Sequence, residues 1–391
     1  MSTGAVPSRT DLMYDVVALT SELVRVPSEN PPGETHRVCD LIESALDESF
    51  TIWRTEPLPG VVSIVAELDF DHTGPTLVLN GHVDVVPVGD QLSEWTHDPF
   101  GAEVFENRIY GRGSLDMKGA VSCLIVAANR VAREPGGVVG KILLAIVADE
   151  ESGGRLGAGQ VIADTRFHGD AALVAEPGDG GICIAHRGMC FVSITTHGRP
   201  AHASVPEEGI NAVDAMVDVL TALRDLRLTF DEHPLLPNPS VSLGTTIQGG
   251  TRPNVVPASC TATVDVRKIP GMSDDSVLTD IRGCLAEKLP GTSVDVSIAT
   301  SGEPAETPAE SRVVTIASEA YERHFGQPPE LRGMVAASDG WWFANRRGMP
   351  TLMAFGPGRI ADCHVVDESV DIDELHAYTA IYEDVIRTFL S

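Results

Sequence analysis

Four short, almost continuous apolar runs constrain this 391-residue chain most: Val61–Leu68, Thr76–Leu79, Lys141–Ala148 and Ala171–Ala175. A strand with one wet face alternates apolar and polar residues. These runs scarcely alternate, so each reads as a strand buried on both faces. The run Lys118–Arg133 (KGAVSCLIVAANRVAR) reads as a buried helix. Buried strands alternating with helices dictate a layered α/β domain with a largely parallel sheet. The opening DLMYDVVALTSELVRV reads as one amphipathic helix that stops at Pro27, before the loop Asn30-Pro31-Pro32-Gly33.

The pattern changes near Gly188. Cys190–Thr196 alternates like a half-exposed strand, and Asn211–Leu226 reads as a helix with Asn211 at its N-cap. Val241–Gln248 and Cys260–Lys268 are strands, Ser273–Leu289 is a helix, and Val294–Thr300 is a strand. The order β-α-β-β-α-β is that of a ferredoxin-like unit. After the Pro-, Glu- and Ser-rich SGEPAETPAES the chain returns to α/β character, with helix Arg312–Phe325, strand Thr351–Phe355 and helix Ile372–Phe389. The expected organisation is a large domain over 1–187 and 304–391, with a smaller one inserted over 188–303.

With 28 basic and 56 acidic side chains the net charge is −28. That sign repels the phosphates of nucleic acid and the headgroups of anionic membranes, so neither is an expected partner. No stretch approaches the ~20 apolar residues of a membrane span. The N-terminal MSTGAVPSRTDLMYD lacks the basic-then-apolar pattern of a signal peptide, so a cytoplasmic protein is expected. The seven cysteines are scattered, odd in number and form no CxxC, which fits reduced thiols.

The chemistry lies at the strand ends. Thr76–Leu79 runs into Gly81-His82-Val83-Asp84, Lys141–Ala148 into Asp149-Glu150-Glu151, and Ala171–Ala175 into Glu176-Pro177. Asp116 follows the glycine-rich turn Gly111–Leu115. Sites in open α/β sheets form beyond the carboxyl ends of the strands, so these groups are expected to converge. Each alone has a plain structural reading: a hydrogen-bonded histidine, a solvated strand end, a turn before proline. Together, carboxylates gathered at one edge repel one another unless cations lie between them. Histidine and carboxylate ligands suit Zn2+, and Co2+ and Mn2+ fit the same set. On an extended chain His82 and Asp84 share a face, so Asp84 is expected to accept from the imidazole N–H turned away from the metal. In the pair Glu150-Glu151, one carboxylate can ligate while the other serves as base toward water.

Five blocks, GHVDVVP (Gly81–Pro87), GRGSLDMKG (Gly111–Gly119), ADEESGG (Ala148–Gly154), AEP (Ala175–Pro177) and GPG…CHVVDESV (Gly356–Val370), resemble a known family in the family's own order. It is the dizinc amidohydrolase and metallopeptidase family of acetylornithine deacetylase, succinyl-diaminopimelate desuccinylase, aminoacylase and glutamate carboxypeptidase. The resemblance implies two divalent metals bridged by Asp116. Glu151 and His364 complete one site, and His82 and Glu176 the other. Glu150 is implied as general base acting on the metal-bridging water, and Asp84 as the residue orienting His82. The inserted unit is implied to be a lid and homodimerisation domain. In its GRPAHAS segment His202 is implied to stabilise the oxyanion across the dimer interface. Asn254 and Arg267 are implied to bind substrate, and Gly356 to let substrate approach the backbone. The implied reaction is hydrolysis of the amide of an N-acyl amino acid. A dipeptidase or carboxypeptidase of the same family is the alternative. A metal-binding regulatory protein without catalysis is a third reading, opposed by the complete set of ligand types and base. The chain departs from the family at Cys363, where alanine or glycine is common, and at the bulky Trp341-Trp342.

Overall fold

A computed structural model describes residues 7–391. They group into two compact units: one runs to Ala185 and resumes over Glu306–Met334 and Ser338–Ser391, and the other comprises His186–Ala305 with Val335–Ala337. The reading of the N-terminus as leaderless rests partly on residues 1–6, which lie outside the described residues. Among the described residues no helix is long and apolar enough to cross a membrane. All seven cysteines are free thiols.

The first unit is built on a six-stranded mixed sheet. In spatial order its strands are Thr51–Leu58, Val61–Asp71, Gly140–Val147, Thr76–His82, Ala171–Val174 and Thr351–Leu352. The first two pairings are antiparallel and the last three parallel. Both faces are covered. Val65, Val78, Leu143, Ala145, Ala172 and Val174 pack with the helices Ala158–Ala163 and Gly340–Arg347 through Val161 and Phe343. The intervening residues Leu77, Leu79 and Leu144 are equally buried, and the helix Gly119–Arg133 packs against the same two strands. The edge strand Thr51–Leu58 escapes the sequence pattern because it alternates between exposed and half-buried and has no buried face. The opening helix is two helices, Arg9–Tyr14 and Val16–Val24. They part at Asp15, whose carboxylate accepts the Val17 and Ala18 N–H groups at 2.9 and 3.2 Å. Asp competes with the helical backbone for such donors, so it caps a new helix where apolar periodicity alone reads straight through.

The second unit is a four-stranded antiparallel sheet in the order Ser240–Gly249, Ser259–Lys268, Gly188–His197, Val294–Gly302. With helices Ala212–Leu223 and Asp274–Lys288 it forms a βαββαβ unit. Apart from one exposed terminal residue each, the two central strands alternate between buried and half-buried residues, so one face meets the helices and the other does not. Asn211 caps the first helix through the Val213 N–H at 2.9 Å, and Ser273 closes a reciprocal capping box with Ser276 on the second.

Candidate metal centre

Strand register carries the chemistry to one place. The Thr76–His82 strand runs parallel to Gly140–Val147 with His82 opposite Val147, and parallel to Ala171–Val174 with Asn80 opposite Val174. His82, Glu150-Glu151 and Glu176 therefore leave three adjacent strands at the same carboxyl edge. Asp149 turns the chain sharply at φ 66, and its Oδ2 accepts the Leu156 N–H at 2.7 Å. Asp116 and His364 arrive on loops.

Asp116 lies between two imidazoles. Its Oδ1 is 3.1 Å from His82 Nε2, and its Oδ2 is 3.1 Å from His364 Nε2. Each imidazole faces a further carboxylate: His82 Nε2 is 3.4 Å from Glu176 Oε1, and His364 Nε2 is 3.2 Å from Glu151 Oε1. Ligand atoms of His82, Glu150 and Glu176 lie within 4.8 Å of one another, as do those of His82, Asp116 and Glu151. Glu150 thus also has ligand-range geometry, and position alone does not separate ligand from base in the Glu150-Glu151 pair.

Charge completes the description. Burial pushes Glu176 up to about 7, reinforced by the neighbouring Asp116 carboxylate. Burial likewise holds Glu150 well above the carboxylate range, with the charges of Glu176, Asp339 and Glu151 adding to it. Hydrogen bonds donated to the Asp116 and Glu151 carboxylates raise His364 to about 10. His82 is raised well above the usual histidine range, its carboxylate partners overcoming the opposing effect of burial. The carboxylates draw positive charge toward both imidazoles. Divalent cations would supply that charge more fully and leave the imidazoles neutral, as ligands must be. This nitrogen-and-oxygen donor set fits Zn2+, Co2+ or Mn2+.

One expected contact changes, and one expected residue also has a packing duty. Asp84 orients His82 through its main chain: His82 Nδ1 is 2.8 Å from the Asp84 carbonyl oxygen and 3.6 Å from its carboxylate. The Asp84 carboxylate instead accepts the Glu150 and Glu151 N–H groups, both at 3.2 Å, and the Asn30 amide at 2.9 Å. It therefore holds the loop that presents both glutamates. Gly356 is required by its own backbone packing, because a Cβ there would lie 2.2 Å from the Ala175 carbonyl oxygen. It lets the strand end carrying Glu176 close against the Gly356 segment, and Pro177 bridges to Gly356 in parallel. The departures from the family pattern are structural. Cys363 donates its thiol to the Arg359 carbonyl, and burial pushes its ionisation far up. Trp341 and Trp342 stack at 3.9 Å, and a Cβ at Gly159 would lie 3.0 Å from the Trp342 ring, so the pair packs the Gly340–Arg347 helix onto its neighbour.

Sequence reasoning missed Asp339 and Glu368. Asp339 is buried, and burial raises its carboxylate well above the usual range, with Asp84, Glu176 and Asp149 adding to it against His82. Its one signal was its place in Ser338-Asp339-Gly340, an acid ahead of a helix.

His202, Asn254 and Arg267 belong to the second unit. His202 and Asn254 are neighbours: His202 bridges to Val255, and the Ala203 N–H donates to the Asn254 carbonyl at 3.0 Å. His202 Nδ1 is held by the Ser204 hydroxyl at 2.7 Å. Arg267 lies at the far end of the Ser259–Lys268 strand, where its guanidinium meets Asp265 at 3.1 Å. The eight residue steps from Ser259 to Arg267 span roughly 26 Å at ~3.3 Å each.

Carboxylates and histidines gathered at the carboxyl edge of a mixed α/β sheet define a metallohydrolase-type site. The pattern of peptidase family M20/M25/M40 matches residues 78–388, and the chain belongs to that family, whose members hydrolyse amide C–N bonds. The chain is 31% identical over 392 residues to the succinyl-diaminopimelate desuccinylase of Rhodospirillum centenum, covering 96% of this chain and 98% of that one. Its fold is similar to an M20 family metallo-carboxypeptidase of Sulfolobus solfataricus, with a TM-score of 0.77, 18% identity, and coverage of 96% and 99% of the two chains. It is also similar to the YXEP protein of Bacillus subtilis, described as a dinuclear metal-binding M20 peptidase, with a TM-score of 0.70, 16% identity, and coverage of 97% and 99%.

Proposed function

We propose that this hydrolase uses two divalent metals, Zn2+ first among them, to cleave the amide of an N-acyl amino acid in the cytoplasm. The observation that carries the reading is Asp116 with one oxygen toward His82 and the other toward His364. His82 and Glu176 would hold one metal and Glu151 and His364 the other, with Asp116 shared. When bound, the metals supply Lewis-acid polarisation of the scissile carbonyl and lower the pKa of a water. Glu150 takes a proton from the attacking water as the C–O bond forms. It returns that proton to the leaving amine nitrogen as the C–N bond breaks. The Asp84 carboxylate keeps Glu150 in place through the loop amides. His202 donates to the oxyanion, Arg267 holds the substrate carboxylate, and Asn254 contacts substrate.

The second unit is proposed to act as lid and dimerisation domain. His202, bridged to Val255, lies beyond the Ser259 end of the Ser259–Lys268 strand, whereas Arg267 is near its other end, eight residue steps or roughly 26 Å from Ser259 by strand rise. A small substrate touching both must take them from different chains. This supports a homodimer in which His202 works in trans. The desuccinylase-named relative supports an N-acyl amino acid over a dipeptide. Assay of Zn2+-loaded protein on parallel panels of acylated amino acids and dipeptides tests the choice, and faster turnover of dipeptides would overturn it. Elemental analysis after zinc loading and desalting tests the centre itself. About two metals per chain are expected, and well under one in folded protein would refute it.

A further inference from the structure

We propose that Glu368, neutralised by Arg112, is the positioning residue that sets Asp116 between the two metals. This rests on the reading of Asp116 and His364 as ligands. The side chains of Glu368 and Arg112 are 0% and 2% exposed. Glu368 Oε1 accepts three backbone N–H groups, from Gly113 at 2.9 Å, Leu115 at 3.1 Å and Asp116 at 3.2 Å. Its Oε2 pairs with the Arg112 guanidinium, and its own carbonyl accepts the Gly111 N–H at 2.8 Å. The guanidinium also lies over the Trp95 ring, 5.3 Å from its centre. One residue therefore holds the whole turn from Gly111 to Asp116.

The turn needs such a holder. It lies ahead of the helix Gly119–Arg133, and a neutral carbonyl would satisfy three converging donors less well than a carboxylate. Gly113 is at φ 82, and a Cβ there would lie 2.6 Å from Val85 Cγ1, so the turn is both tight and buried. A carboxylate buried alone is strongly disfavoured, and the Arg112 guanidinium offsets that cost.

The geometry gives the cradle a purpose beyond closing a turn. It ends on the N–H of Asp116 itself. Glu368 also stands four residues after His364, in one loop. The same side chain thus ties the Asp116 turn to the segment bearing His364, the imidazole 3.1 Å from Asp116 Oδ2. Metal–ligand distances tolerate only about ±0.2 Å, so a small drift of the turn uncouples a shared carboxylate.

The test uses Co2+ as probe and reads affinity by titration, magnetic coupling of the two ions by EPR, and folding by circular dichroism and thermal melting. Arg112→Met/Glu368→Leu removes the pair without leaving a buried charge and strips the three N–H groups of their acceptor. It is expected to fold, lose roughly 10–100-fold in Co2+ affinity and lose the coupling. Arg112→Met/Glu368→Gln keeps an acceptor oxygen and is expected to recover most of both. If the leucine pair does not fold, Glu368→Asp, which draws the acceptor back by one methylene, is expected to show the same losses. Wild-type coupling in a folded leucine or aspartate variant, or no recovery with glutamine, overturns the proposal. Asp116→Ala separates the two readings. If it leaves coupling intact, or wild-type protein shows none, the shared role of Asp116 falls and the proposal with it. If it abolishes coupling while the Glu368 variants do not, only the role of Glu368 falls.

Discussion

The two sheets of this protein are built to different rules. In the first unit the Thr76–His82 strand is buried at six of its seven residues, and Gly140–Val147 at all but Lys141. In the second, Gly188–His197 alternates buried and half-buried residues until its exposed last one. A sheet buried on both faces has rigid strand ends, and these are the ends that bear His82, Glu150, Glu151 and Glu176. A sheet with one open face is suited to meeting something else, whether substrate or a second copy. The candidate metal ligands grow from the first kind, and His202, Asn254 and Arg267 belong to the second.

The largest effect that sharpens this comparison belongs to the first unit. Glu150→Gln is expected to retain the metals while turnover falls roughly 10²–10⁴-fold, measured by steady-state kinetics beside metal analysis. Loss of metal instead would exchange the roles of Glu150 and Glu151, which their geometry allows. In the second unit, His202→Ala is expected to lower kcat by about 10²–10³-fold, the range for one oxyanion donor. Mixing it with Glu150→Gln under subunit exchange is expected to restore activity, because one site of the mixed dimer then holds both groups. Exchange without recovery would place His202 in its own chain's site, and the division of labour between the sheets would need redrawing.

Stability tests break the comparison from the other side. Leu144→Ala, in the doubly covered sheet, is expected to cost about 2–5 kcal/mol in denaturant unfolding. Ser193→Ala, on the open face of the second sheet, is expected to stay within about 0.5 kcal/mol. Equal costs would mean that the second face is covered in solution. Acid sensitivity distinguishes the units as well. Burial holds His186, the first residue of the second unit, down to about 4, against the pull of the Arg187 carbonyl. Between pH 6.5 and 4 the unfolded chain takes up a proton there that the folded chain refuses. The contribution is therefore fully present above 6.5 and is lost as pH falls, by about 3 kcal/mol in total. His186→Gln is expected to flatten the stability–pH profile in that window, and an unchanged slope would refute the assignment.

Much of this was legible in the sequence because the relevant rules are local. Continuous apolar runs announce strands covered on both sides. The residues following each run, His82, Glu150-Glu151 and Glu176, are placed at one edge once the strands are parallel. Asn211 and Ser273 announce the helices that they cap. Asp15 carried the same signal and was overridden by apolar periodicity, since capping and periodicity pointed to different helices. Thr51–Leu58 was invisible because an edge strand without a buried face has no pattern to read.

What the sequence determined by itself was therefore the set of ligand types, the edge from which they emerge and the order of elements in the second unit, all consequences of spacings over a few residues. What only the tertiary structure decided was which neighbour each polar group would find. The Asp84 carboxylate turned to amides 66 and 67 residues away, and Glu368 to amides more than 250 residues away. A buried carboxylate must collect donors from whatever chain packs against it. Spacing along the sequence says nothing about which chain that is until the core has closed.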